Sequence, residues 1–219
     1  MTKKIVLLGA PGAGKGTQGE LLCKTLGIPK ISTGDLLREA VANRTPIGLK
    51  VESLMGTGQL IADEIVMDLL SQRLDQPDCA QGYVLDGFPR TVEQCQMLFD
   101  AGVVVTLVLE LHVADDVIVD RMSGRRVHKP SGRTYHVTLN PPVTPDVDDI
   151  TGEPLTSRAD DAPDIVLKRL GIYHDQINPI LNFYRKLPYR HCPKIRRING
   201  DGPLAEVQAS LFGAVNPRA

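Results

Sequence analysis

Ile5-Val6-Leu7-Leu8-Gly9-Ala10-Pro11-Gly12-Ala13-Gly14-Lys15-Gly16-Thr17 is the stretch that decides the fold. A short apolar run leads into a glycine-rich loop, and a helix is expected to follow. Gly9, Gly14 and Lys15 stand at the spacing G-x-x-x-x-G-K, that of a phosphate-binding loop. Glycines let a backbone turn tightly and approach a ligand closely. Successive N–H groups then face one concavity and attract an anion. The positive end of the following helix adds to this field, and Lys15 supplies a mobile charge for the outer phosphates. Gly16 follows the lysine, and the hydroxyl comes one residue later at Thr17. The usual hydroxyl contact to magnesium is therefore not assumed.

The chain has 219 residues, which suits one α/β domain carrying inserts. A hydrophobic fraction of 42% is enough for a sizeable core. The net charge of -1 excludes the overall basic character of a nucleic-acid binder. Cys23, Cys79, Cys95 and Cys192 have neither zinc-ligand nor redox spacing, so they read as free thiols of a reducing compartment. The apolar run after Met1-Thr2-Lys3-Lys4 is too short for a signal peptide and is a first strand. No run approaches the roughly 20 apolar residues needed to span a bilayer. The expectation is a soluble, cytoplasmic protein with no membrane partner.

Outward from the loop, Gln18 to Leu26 reads as a helix ended by Gly27. Ile31 is a short extended entry, and Ser32 and Asp35 are spaced as a capping box for the next helix. A further helix is expected from Pro46 to about Met55, and a stronger one from Asp63, closed by Pro77. Tyr83-Val84-Leu85 is a short buried strand, and Thr91 caps a helix ending at Gly102. Val103 to Leu109 is a continuous apolar strand, of the kind found where a parallel sheet is covered on both faces. Helices are expected over Ala114 to Met122, Asp164 to about Arg185 with a kink at Pro179, and Pro203 to Phe212, with a last strand at Lys194 to Ile198. Strand alternates with helix, which predicts an α/β fold with a parallel, doubly wound sheet. Between them, Gly124 to about Asp161 is punctuated by five prolines and is too long for a connection. It reads as a small, inserted, β-rich subdomain.

Leu85-Asp86-Gly87-Phe88-Pro89-Arg90 is the second constellation. A carboxylate at the end of a core strand beside a phosphate loop can hold magnesium, directly or through water. Arg90 stands close enough in sequence to reach a phosphoryl group. Scattered arginines fit the same chemistry. Two nucleotides meeting phosphate to phosphate concentrate negative charge, and the planar guanidinium binds phosphate oxygens in pairs.

These residues carry a resemblance. The loop Gly9 to Thr17, with Gly after the Lys, and Tyr83 to Arg90 followed by Gln94 resemble the motifs of the adenylate kinases, of the long-lid bacterial type. The resemblance covers nearly the whole chain. It implies a P-loop core of residues 1–31, 62–123 and 162–219, a nucleoside-monophosphate-binding helical insert of 32–61, and a lid of 124–161. It implies ATP, AMP and ADP as ligands, Mg2+ as cofactor with Asp86 near it, and a monomer. Gly12, Ala13, Gly14, Lys15, Gly16 and Thr17 would hold the ATP phosphates. Arg121, Arg125, Thr134, Tyr135 and the backbone of Gly202 would also contact ATP. The AMP site would comprise Thr33, Arg38, Gln59, Leu60, Ile61, Gly87, Phe88, Pro89, Arg90 and Gln94, the last reading the adenine. Lys15, Arg90, Arg125, Arg158 and Arg169 would be the catalytic cations, the last two also touching AMP. Arg44, Arg73 and Arg218 are read as surface side chains.

Some relatives hold structural zinc with four lid cysteines; this lid has none. His128, Ser131, Asp148 and Thr151 stand in those places, resembling the hydrogen-bonded substitute of zinc-free members, so no structural zinc is expected. A GTP:AMP phosphotransferase shares the long lid, and the donor base is poorly specified by these residues. Thr33 and Gln94 favour AMP over UMP, CMP or GMP as acceptor. A GTPase-type switch would need an Asn-Lys-x-Asp run, which is absent.

Overall fold

The computed structural model describes residues 2–56, 61–157 and 161–216. Gln59, Leu60, Arg158 and Arg218 lie outside the described residues.

β1 (Lys3–Gly9) is the axis of a five-stranded parallel sheet. Its order is β2 (Lys30–Ser32), β3 (Gly82–Asp86), β1, β4 (Leu107–His112), β7 (Lys194–Asn199). Along β1, Ile5 and Leu7 enter one core and Val6 and Leu8 the other, the two-residue alternation of a strand covered on both sides. The first face packs against α1 (Lys15–Leu26), α6 (Asp115–Ser123) and α8 (Leu204–Val215) through Leu22, Ile118, Met122, Val207 and Leu211. The second packs against α4 (Asp63–Leu74) and α5 (Val92–Asp100) through Val66, Leu70, Cys95 and Leu98. The 24-residue α7 (Pro163–Lys186) serves both, with Val166 and Leu170 in the first core and Ile177, Ile180, Leu181 and Tyr184 in the second. Each fully buried side chain of this kind contributes about 1.5–3 kcal/mol.

Two strands differ from the sequence expectation. The extended entry at Ile31 is an edge strand, with Lys30, Ile31 and Ser32 opposite Val84, Leu85 and Asp86. This register brings the start of the next helix beside the end of β3. The strand expected over Val103 to Leu109 instead begins at Leu107. Val103 donates its N–H back to Leu98 and Thr106 donates to Lys4, so the intervening valines connect α5 to the sheet without a ladder of their own. A continuous apolar run carries no mark of where pairing starts. Arg73, read as surface, is half-buried and forks onto Asp78, tying α4 to the 3-10 turn Pro77–Cys79. All four cysteines are free thiols.

After β2 come α2 (Thr33–Ala42) and α3 (Pro46–Gly56), packed on one another. Ser32 caps α2 by accepting the Asp35 N–H at 3.4 Å. The prolyl-rich segment holds β5 (Arg125–Val127) paired antiparallel with β6 (Thr134–His136), plus isolated bridges Val127–Thr156 and Val147–Pro154. It is β-rich, as its composition predicts.

The α2–α3 contact depends on one missing side chain. A Cβ on Gly48 would lie 1.8 Å from the Ala40 carbonyl oxygen, and backbone cannot yield as a side chain can. Gly48→Ala is expected to cost about 1–3 kcal/mol. Amide hydrogen exchange checks this: protection should fall across α2 and α3 while β1 and β4 keep theirs.

Candidate active site

Gly12 and Gly14 take φ of +81° and +91°, conformations that only glycine adopts without strain. At Gly12 a Cβ would also sit 2.7 Å from Met122 Cγ and Sδ. Gly14 is the N-cap of α1, with no side-chain cap and no acidic residue in the first turn. The initial N–H groups of α1 therefore face outward with their dipole uncompensated, which makes an anion site. Gly16 and Thr17 are exposed on that turn. Lys15 Nζ donates to the Gly9 and Ala10 carbonyls, both at 2.8 Å, and so arches over the loop.

The charges around Lys15 come from distant parts of the chain. Burial pushes its ammonium down from 10.5 to about 8. Asp86 pulls it back up, while Arg90, Arg169 and Arg125 push it further down. So β3, the loop after it, α7 and β5 converge on one point. Burial and the neighbouring Arg169 also lower the Arg90 guanidinium, again opposed by Asp86. Arg90 is still exposed to the cleft, with its Nε donating to the Gly87 carbonyl at 2.7 Å. Arg125 forks onto the buried carboxylate of Asp161.

The residues expected at the second nucleotide surround Gly87. Thr33, buried, donates its hydroxyl to the Gly87 carbonyl at 3.3 Å. The Phe88–Pro89 peptide is cis, and both side chains are buried. Gln94 is buried, with Oε1 on the Arg90 N–H at 2.6 Å and Nε2 on Asp63 at 2.7 Å. Ile61 is half-buried and packs beside this core. Arg38 stands apart, exposed and paired with Asp35. On the opposite side Arg121 Nη2 donates to the Gly200 carbonyl at 2.8 Å, two residues before Gly202.

A family model described as adenylate kinase matches residues 7–188, well over half of the sequence. The chain belongs to the adenylate kinase family. These enzymes are nucleoside monophosphate kinases, phosphotransferases that catalyse ATP + AMP = 2 ADP. The match spans the phosphate loop, Asp86, the Gly87–Arg90 turn and the Pro-rich segment alike.

That segment is held by a polar cluster larger than the four side chains expected. Asp148, 1% exposed, accepts from Arg133 Nε (2.8 Å) and Nη2 (2.6 Å), Tyr135 OH (2.9 Å), and the Thr151 N–H (2.8 Å) and hydroxyl (2.9 Å). His128, equally buried, shares hydrogen bonds with Ser131 Oγ (2.7 Å) and Glu153 (2.5 Å). Tyr135, expected near ATP, thus commits its hydroxyl to this cluster, while Thr134 remains exposed. Arg133, Tyr135 and Glu153 are partners that the sequence reading misses. A signal for two of them is present, since residues 133 and 135 share a face of an extended chain. Among the described residues no group of three or more His, Cys, Asp or Glu side chains is arranged to hold a metal ion.

The Arg133 fork holds the Asp148 carboxyl far below the usual carboxylate range, against burial, with help from Thr151 and Tyr135. A depressed carboxyl contributes stability that is present above its unfolded pKa of about 4 and is lost as pH falls toward the folded value. Below about pH 4, hydrogen exchange over 125–156 should therefore accelerate before that of β1. Asp148→Asn should produce the same local loosening at neutral pH.

Lys15 gives a second pH signature. Phosphates brought near it raise its pKa, so binding takes up a proton when pH is near or above about 8. Calorimetry of ATP binding in two buffers of different ionisation enthalpy should show net uptake at pH 8. Affinity should weaken as pH rises further, and Lys15→Met should abolish the uptake.

Proposed function

We propose that this chain is a long-lid adenylate kinase, with core 1–31, 62–123 and 162–219, nucleoside-monophosphate-binding insert 32–61, and lid 124–161. The observation that carries the assignment of roles is the convergence of Arg90, Arg125 and Arg169 on Lys15, opposed by the carboxylate of Asp86. Such a cluster matches phosphates meeting head to head and little else.

In this reading Gly12 to Thr17 cradle the ATP phosphates, and Lys15 leaves the Gly9 and Ala10 carbonyls for the transferring group. Thr33, Arg38 and Gly87 to Arg90 hold AMP, together with Gln59 to Ile61, and Gln94 reads its base. Arg121 and Gly202 flank the ATP adenine. Arg125, Arg158 and Arg169 close on the phosphates from the lid side, with Thr134 and Tyr135 near ATP. An AMP phosphate oxygen forms a bond to the terminal phosphorus of ATP as the bond from that phosphorus to the bridging oxygen breaks, which leaves two ADP. The attacking phosphate is already ionised at neutral pH, since its second pKa is about 6, so no general base is needed. Closing the lid excludes the water that would otherwise hydrolyse ATP.

Magnesium fits this donor set. Mg2+ takes oxygen ligands and is commonly held by one or two carboxylates plus substrate phosphates and waters. Asp86 at the end of β3, beside Lys15 of the phosphate loop, is such a carboxylate. When bound, the ion would neutralise phosphate charge. The protein is taken to act as a cytoplasmic monomer; no helix among the described residues is long and apolar enough to cross a membrane.

Two measurements test the reading. With ATP as donor, AMP should be the preferred acceptor among AMP, GMP, UMP and CMP; faster turnover with GTP than ATP would instead assign a GTP:AMP phosphotransferase. Arg90→Ala should lose roughly 10³-fold or more in kcat, the scale set by arginines that stabilise phosphoryl transfer. Near-normal turnover would remove Arg90 from the catalytic set.

A further inference from the structure

We infer that Asp63 is a specificity-determining residue, which selects adenine over guanine in the acceptor by locking the side-chain amide of Gln94 in one orientation. This rests on Gln94 as the acceptor-base reader.

An amide side chain has nearly the same shape after a half-turn about its last bond, but its donor and acceptor change places. Gln94 is 9% exposed, and both ends of its amide are engaged. Nε2 donates to Asp63 Oδ1 at 2.7 Å, and Oε1 accepts the Arg90 N–H at 2.6 Å. The half-turn would set Oε1 against a carboxylate and the NH2 against an N–H. Both contacts would fail together, so one orientation is held. Asp63 is well placed for this. It is half-buried at the first position of α4, where the helix dipole favours a negative charge. Thr91 fixes the other end by accepting the Gln94 backbone N–H at 3.2 Å.

After these bonds Gln94 keeps one N–H and one lone pair for a ligand. Adenine offers the complement: its 6-amino group donates to Oε1 and its N1 accepts from Nε2. Guanine in the same pose presents O6 to Oε1 and N1–H to Nε2, so acceptor meets acceptor and donor meets donor. A freely turning amide would serve both bases.

The test is the ratio of kcat/KM for AMP over GMP, with ATP as donor, in the unmodified protein, Asp63→Asn, Asp63→Glu and Gln94→Ala. The amide introduced by Asp63→Asn can meet either orientation of Gln94, which leaves the Arg90 N–H to oppose the half-turn alone. The ratio should fall about tenfold or more in Asp63→Asn, mainly through KM for the acceptor, with KM for ATP unchanged. Asp63→Glu restores an acceptor-only partner and should recover most of the ratio. A purely structural role predicts equal losses for AMP and GMP in Asp63→Asn, and that result overturns the lock. In Gln94→Ala the ratio should collapse. If it does and Asp63→Asn keeps its ratio, the lock alone is wrong; if Gln94→Ala keeps its ratio, the base-reading role falls and the lock with it. NMR of the unmodified protein is independent of any variant's folding. One Gln94 amide proton should be shifted away from the ordinary glutamine position and protected from exchange by Asp63; two protons at ordinary glutamine shifts that exchange freely with water overturn the proposal.

Discussion

Mutual repulsion among cations is the constraint on which this structure depends. Burial raises the cost of the Lys15 charge most, and Arg90, Arg169 and Arg125 add to it, opposed by Asp86. Charges so placed would separate if the scaffold allowed it. Local acceptors restrain them: the Gly9 and Ala10 carbonyls for Lys15, Gly87 for Arg90, Asp161 for Arg125. These bonds hold the side chains in place; the carbonyls carry no net charge to cancel Lys15 or Arg90, whereas the Asp161 carboxylate offsets Arg125 and Asp86 pulls partly against the cluster. An incoming phosphate then relieves a strain that folding has already imposed, which is electrostatic preorganisation in its usual sense.

The rigidity comes from the two-sided core. β1 delivers the phosphate loop, β3 delivers Asp86, and the β2–β3 register sets Thr33 beside Gly87. All three strands end at the same edge of a parallel sheet, where such folds place their ligands. A helix that draws on both cores, α7, carries Arg169 between the residues Val166 and Leu170 that anchor it. The apolar packing is thus what fixes distances among the polar groups.

The Pro-rich segment after α6 follows a different physical rule. Its strands are three residues long and much of its apolar surface is exposed, including Leu139, Val143 and Ile150. Asp148 and His128 take the place of a core there, each satisfied by several partners. A cluster of directional bonds keeps a small unit in shape where too little hydrophobic area is available. Because it rests on the Asp148 carboxylate, this segment is the part of the protein expected to loosen first in acid.

Much of this was readable from residues alone. The spacing of Gly9, Gly14 and Lys15, the Asp86–Arg90 turn, and the strand–helix alternation are local patterns, and local geometry suffices to read them. The β-rich character of the Pro-rich segment was legible for the same reason. Pairings across the chain were not. That Ile31 joins the sheet depends on β3, which lies far along the chain. Arg125 with Asp161, Asp148 with Arg133, and Gln94 with Asp63 are side-chain meetings whose partners are chosen by how the chain returns on itself. Sequence by itself determined which chemical groups are present and which turns and strands carry them, because those depend on neighbours in the chain. Only the tertiary structure decided which cations converge on Lys15 and which acceptor restrains each one, because Coulomb and hydrogen-bond energies depend on distance in space.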